Sequence, residues 1–258
     1  MSTTPNRVLI VGATGSIGRP AVAAALRQGF EVRALVRNQD RAHRLLPDGV
    51  ELVVGDLTRP ATLVPAVDGI DAVVLTHGSN TTEADVRDVD YAGVVNLLDA
   101  LGERRIRIAL MTAVGVTRPN MAYAAWKRRG ERLVRASGHD YTIVRPGWFD
   151  YNSADERRIV MRQGDTHQTA TPADGVIARD EIARVLIESL SLDEANRKTL
   201  ELVAERGEEQ SDLAPEFARL RADGAGSLEG VLDGNLVPLT QEPQRFRDDL
   251  SRIRGAQA

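Results

Sequence analysis

The chain has 258 residues, 42% of them hydrophobic and 27% charged, with a formal net charge of −4. This balance supports a buried core and excludes a disordered chain, while a pI near 5.7 argues against a nucleic-acid partner. Cysteine is absent, which removes disulfides, thiolate metal sites and cysteine nucleophiles. No apolar run approaches the roughly 20 residues that span a bilayer, and no signal-peptide pattern opens the chain. An unprocessed, cytoplasmic protein without a membrane partner is expected.

In chain order, short apolar runs predict strands at 7–11, 31–36, 50–54, 72–76, 106–112 and 142–144. Helical spacing of apolar residues falls between them, at 21–26, 86–101 and 122–136. Strands apolar on both faces, separated by helices, form a parallel sheet covered on each side, a doubly wound α/β fold. After Asp150 the texture changes. Residues 151–175 are polar apart from 159–161, as in a lid or substrate loop. An amphipathic helix at 179–190 and a strand at 199–203 follow, then a charged, glycine-rich tail in which Phe217, Leu220 and 246–250 are candidates for docking.

The first strand runs straight into Gly12-Ala13-Thr14-Gly15-Ser16-Ile17-Gly18 and then a helix. Glycines at this spacing allow a sharp turn, close approach of backbone to a pyrophosphate and tight packing of helix on strand. The helix start offers free N–H groups to the phosphates, and Thr14, Ser16 and Ile17 are placed to donate there. Three spaced glycines alone are weak evidence; their strand-to-helix context carries the reading of a dinucleotide site.

At the end of the second strand, where an NAD site usually places an acid for the ribose 2′-hydroxyl, stands Arg37, with Arg41 and Arg44 behind it. A guanidinium suits a 2′-phosphate, so NADP is expected over NAD. The bland alternative is a solvated basic patch. Strand three ends in Gly55-Asp56-Leu57, where the carboxylate would accept from the adenine amino group and Leu57 would pack on the ring. The alternative is that Asp56 merely caps the next turn. On these signals we divide the chain into a dinucleotide-binding core, 1–150, and a substrate or lid region with the tail, 151–258, adding a helix and a strand to the same unit.

Tyr123 and Lys127 lie four apart on the helix after strand five, hence on one face. Only two of the 33 basic residues are lysines, which gives Lys127 some added weight. Lys127 would bind the nicotinamide ribose and favour a tyrosinate, and Tyr123 would protonate a carbonyl as hydride arrives. Bringing a phenol from ~10 to about 7 requires roughly 4 kcal/mol of differential stabilisation. A surface tyrosine beside a solvated lysine is the bland alternative.

The glycine loop, Arg37, Gly55-Asp56, the Tyr123/Lys127 pair and the run Ser137-Gly138-His139-Asp140-Tyr141-Thr142-Ile143-Val144-Arg145-Pro146-Gly147 together resemble the atypical short-chain dehydrogenase/reductase family, in its NAD(P)H-binding, NmrA-like branch. The likeness covers about residues 7 to 204. It implies a Rossmann fold with a small C-terminal substrate-binding region and a nicotinamide dinucleotide over the strand ends. It further implies that Pro146, Gly147 and Trp148 lie close to the nicotinamide, and that Thr76 and His77 approach the phosphates and ribose. Enzymatic members carry a serine or threonine pair after strand five, whereas this chain reads Thr112-Ala113. Either Thr112 supplies the hydroxyl that polarises the substrate carbonyl, or that donor is missing.

The four histidines show no metal-ligand spacing, so no metal is expected, and no Gly-x-Ser-x-Gly elbow suggests a serine hydrolase. The expectation is an NADP-dependent oxidoreductase acting on a small carbonyl-type molecule, with Tyr123, Lys127 and Thr112 as catalytic residues. The alternative is a non-catalytic redox-sensing regulator. A sugar-nucleotide epimerase fits poorly, since it would favour NAD and a larger second domain. A monomer or homodimer is expected, with helices 86–101 and 122–136 as a candidate dimer face.

Overall fold

The computed structural model describes residues 6–79, 82–119 and 121–256. The N-terminal residues 1–5, to which the expectation of an unprocessed start refers, lie outside the described residues.

Six parallel strands form the frame: β1 (Arg7–Val11), β2 (Glu31–Val36), β3 (Glu51–Val54), β4 (Ala72–Leu75), β5 (Arg107–Met111) and β6 (Asp140–Pro146). Their spatial order is β3-β2-β1-β4-β5-β6, with Val8 paired to Val32 on one side and to Ala72 on the other. The strand order therefore reverses between β1 and β4, which opens a crevice beyond their carboxyl ends. Alternation along each strand feeds two cores. Val8, Ile10, Ala72 and Val74 join one, whereas Leu9, Val11, Val73 and Leu75 join the other.

The first core lies under α1 (Gly18–Arg27) and α7 (Arg179–Glu188), which pack on each other. The second lies under α3 (Val64–Val67), α5 (Ala92–Leu101) and α6 (Ala122–Ala136). α2 (Gln39–Leu45), absent from the sequence expectation, is started by Asn38, whose side chain accepts from Arg41 N at 2.8 Å. The helix expected at 86–101 is composite: a short α4 (Glu83–Asp85) leads into a π-helical turn, Val86–Tyr91, before α5. A π-helical turn widens the helix and reorients its side chains.

The region after Asp150 extends the sheet. β10 (Lys198–Glu205) runs parallel to β6 and antiparallel to β8 (Arg158–Arg162) and β9 (Val176–Ile177), and β9 pairs with β7 (Trp148–Phe149). The segment expected as an open loop thus contains a strand. Arg158 and Arg162 disguise it at either end, and both are paired across the ladder with Glu205, at 2.6 and 3.1 Å.

The tail holds α8 (Ala214–Ala218) and α9 (Gln244–Gly255). Phe217, Phe246 and Leu250 are buried, and Leu220 packs against the first core. α9 lies against α5 and α6 and covers part of the face considered for a dimer contact. No helix among the described residues is long and apolar enough to cross a membrane.

Candidate active site

β1 delivers the chain into the glycine loop. Gly12 adopts φ +84°, a left-handed conformation that side chains resist, and Gly15 N donates to Gly12 O at 2.8 Å to close the turn. A Cβ at Gly18 would overlap the Gly12 carbonyl, so the third glycine lets α1 start directly against the loop. No side chain caps that start and no acid occupies its first turn. Arg19 N donates to Gly15 O at 3.1 Å and Pro20 has no N–H, so what the helix start offers an anion is its positive dipole end and the N–H groups before Arg19.

Around this loop lies a cleft of about 550 Å³ that brings together most of the expected cofactor residues: Gly12, Thr14, Gly15, Ser16, Ile17, Arg37, Asp56, Leu57, Thr76, His77 and Lys127. Gly18 backs the loop from within α1. Arg37 is exposed at the end of β2. Asp56 Oδ1 accepts from Thr58 N and Oγ1, both at 2.8 Å. Those bonds hold its carboxyl below the usual range, with Arg37 and Arg59 assisting against some burial. Asp56 therefore caps its own turn as well as lining the cleft.

Thr76 lines the cleft with its hydroxyl already engaged. Its hydroxyl donates to Val11 O at 2.9 Å, which ties β4 to β1 beneath Gly12. His77 is placed more suggestively. Its Nε2 faces Asp90 O at 3.3 Å, and its buried Nδ1 has no partner. A carbonyl oxygen only accepts, so Nε2 carries the proton and Nδ1 is left as an acceptor. Burial lowers the imidazole's pKa, with Asp90 opposing and Lys127 assisting, which keeps the ring neutral.

Lys127 reaches the cleft from α6, buried, with its ammonium paired to Asp90. Asp90 comes from the π-helical turn, and its other oxygen accepts Ser79 N at 2.8 Å. Sequence patterning missed Asp90 because an acid among helical residues reads as solvated. Lys127 also lines a second cavity of about 550 Å³, together with Tyr123, Pro146, Gly147 and Trp148. Ala113, Lys127 and Phe149 are common to both cavities. Tyr123 is 40% exposed on that second wall.

Thr112 corrects an expectation. Its hydroxyl donates to Glu131 Oε1 at 2.7 Å in the interior. Burial would raise Glu131, but Arg145 and Arg135 hold its pKa lowered, so it is a carboxylate that only accepts. The single hydroxyl proton of Thr112 is thus committed, and none is left for a substrate carbonyl.

The second cavity takes its shape from a close crossing. A Cβ at Gly147 would overlap the Gly175 carbonyl, and Trp148 N donates to Gly175 O at 2.9 Å. Beyond it stand Tyr151, Arg118 and Arg179, which sequence reasoning did not single out. The usable signal was position alone, since they follow strands at the carboxyl edge of the sheet.

A family model described as NAD(P)H-binding matches residues 12–193. The chain is 31% identical over 223 residues to the photosystem II assembly factor Ycf39 of Cyanophora paradoxa, covering 84% of this chain and 70% of that protein. Over three such assembly factors the match spans 66% to 70% of their own length. Sanguinarine reductase of Eschscholzia californica is 28% identical over 242 residues, covering 76% of this chain and 88% of that protein. Among solved structures, a putative NAD-dependent epimerase/dehydratase of Bacillus halodurans superposes with a TM-score of 0.68 at 25% identity, over 83% of this chain and all of that one. With its glycine loop, strand order and cleft, the chain belongs to the NAD(P)H-binding family.

Proposed function

We propose that the protein is an NADPH-dependent oxidoreductase that reduces a small carbonyl-type substrate. The observation carrying this reading is the junction of the two cavities at Ala113, Lys127 and Phe149, which sets a substrate chamber against the end of the dinucleotide cleft. The chain's own residues fit the cofactor. The uncapped start of α1 suits a pyrophosphate, Arg37 suits a 2′-phosphate, and the orphaned His77 Nδ1 suits a ribose hydroxyl.

When bound, NADPH supplies the hydride, so that carbonyl, NADPH and one proton give alcohol and NADP⁺. Tyr123 donates the proton to the carbonyl oxygen from its place on the chamber wall. Lys127, one turn further along α6, holds the ribose with the N–H groups that Asp90 leaves free. Pro146, Gly147 and Trp148 wall the nicotinamide end from water. Thr112 positions Glu131 rather than the substrate.

The test is NADPH oxidation against a panel of aldehydes, ketones and quinones, with Tyr123→Phe as the variant. Turnover should fall by about 100-fold or more while NADP(H) affinity changes little. Undiminished turnover removes Tyr123 from the chemistry, and no oxidation with any member of the panel removes the reductase reading. A second reading, a dinucleotide-binding regulator without hydride transfer, is favoured by the committed hydroxyl of Thr112 and by the likeness to an assembly factor. It predicts cofactor binding, a silent panel and a protein partner in pull-down.

A further inference from the structure

Resting on that reading for the identity of the chamber, we propose that the second cavity takes a planar aromatic substrate bearing an anionic group, and that Arg118 binds the anion. Three observations converge on this.

The first is the wall. Four of the chain's ten aromatic residues, Tyr123, Trp148, Phe149 and Tyr151, line this one cavity. Trp148 and Tyr151 meet edge to face with centroids 5.8 Å apart, yet remain 36% and 63% exposed. Aromatic rings left uncovered at a concave site offer a stacking surface for a flat apolar body. About 550 Å³ accommodates two or three fused rings.

The second is charge. Lys127 is paired with Asp90 and Arg179 with Asp150. Asp174, 3% exposed, turns its carboxylate to Thr169 N, Thr169 Oγ1 and Ala170 N, at 2.7 to 2.8 Å. Arg118 is half-buried on the same lining, and its guanidinium has no hydrogen-bond or ion-pair partner among the described residues. What the cavity offers a ligand is therefore an unused guanidinium fork, the group best shaped to hold a carboxylate, sulfonate or phosphate by two parallel bonds.

The third is support. Asp165 accepts Gly115 N at 2.6 Å, and Thr117 N and Oγ1 at 2.8 Å, from a position 1% exposed. Arg118 N closes the turn on Gly115 O at 3.1 Å. The backbone carrying the guanidinium is thus fixed before a ligand arrives, which lowers the entropy lost on binding.

The probes are anthraquinone-2-carboxylate and its neutral carboxamide, titrated against NADP⁺-loaded protein by quenching of tryptophan fluorescence. The carboxylate should bind about tenfold more tightly than the amide, as expected for a charge-assisted pair. Arg118→Gln should abolish that preference while the amide still binds, and Trp148→Leu should weaken both probes alike. Equal affinities in the wild type, a preference that survives Arg118→Gln, or no binding of either probe overturns the inference. NADPH oxidation is read separately. Binding that depends on Arg118 without turnover would leave the anion site standing and remove the reductase reading. Turnover without a preference for the carboxylate would do the reverse.

Discussion

Arg145 Nη2 lies 2.7 Å from Glu131 Oε2, and neither side chain has any exposed surface. The pair joins β6 to α6 and is the centre of a buried polar network. Arg145 also grips Asp233 of the tail through two contacts of 2.7 Å, while Arg135 joins Glu131 to Asp223 at 3.2 Å each. Buried charges persist here because each has a partner.

Removing the cation should therefore be costly. Arg145→Met leaves Glu131 with only Arg135 and the Thr112 hydroxyl, and Asp233 without its bidentate cation, in the interior. The expected loss is about 3–5 kcal/mol, read as a lowered urea midpoint at constant slope. A loss below about 1 kcal/mol would mean that the network relaxes around the gap.

The tail should be a structural strap. Phe246 is fully buried, with its ring centroid 6.5 Å from that of Tyr91 and the Arg132 guanidinium 5.8 Å from its centre. Phe246→Ala should cost about 3–5 kcal/mol. Calorimetry would show the transition moving to lower temperature, and an unmoved transition would mean that α9 contributes little to the fold.

Two buried carboxyls should draw stability down as pH rises from acid to neutral, against two buried histidines. Burial pushes Glu201 up to about 7 from 4.5, against the pull of Arg145, and burial likewise pushes Glu181 up to about 7. A raised folded pKa means stability complete below the unfolded value and lost as pH rises through the folded one. The window is therefore about pH 4.5 to 7, and the Glu201 share is about 3 kcal/mol at most. Asp233 has the opposite sign. Despite burial, Arg145 holds it at about 2 against 3.8, so its contribution is lost only as pH falls through that lower range. Burial lowers His139 to about 4 and also lowers His77, and these rings lose stability as pH falls below about 6.5, offsetting the carboxyls in the same window. The variant separates the two: Glu201→Gln should hold its urea midpoint better than the wild type between about pH 4.5 and 7. An unchanged profile in the variant would assign the slope elsewhere.

Arg37 should govern the choice of cofactor. Arg37→Asp replaces the guanidinium at the end of β2 with an acid suited to a ribose 2′-hydroxyl. NADP(H) affinity should fall by about tenfold or more, with NAD(H) affinity little changed. Equal losses for both nucleotides, by fluorescence titration, would show that Arg37 does not read the phosphate.

What the residues alone determined is what short-range spacing controls. The strands at 7–11 and 31–36 and the helix at 122–136 have the bounds that their apolar patterns predict. The glycine loop needs only adjacent residues to make its turn. The strand at 158–162 was hidden because arginines at its ends broke the apolar pattern, and their cross-strand partner lies more than forty residues on. The same holds for α6. Arg128, Glu131, Arg132 and Arg135 give it the composition of a solvated helix, yet all four are buried. The acids that make this possible, Asp223, Glu229 and Glu242, arrive about a hundred residues later. Pairing at that distance leaves no local periodicity. It decided that Thr112 gives its proton to Glu131, that Asp90 receives Lys127, and that the Arg118 guanidinium faces the second cavity without a partner among the described residues. Each side chain's chemistry could be read from its identity, but whether that chemistry was already spent depended on what the fold placed beside it.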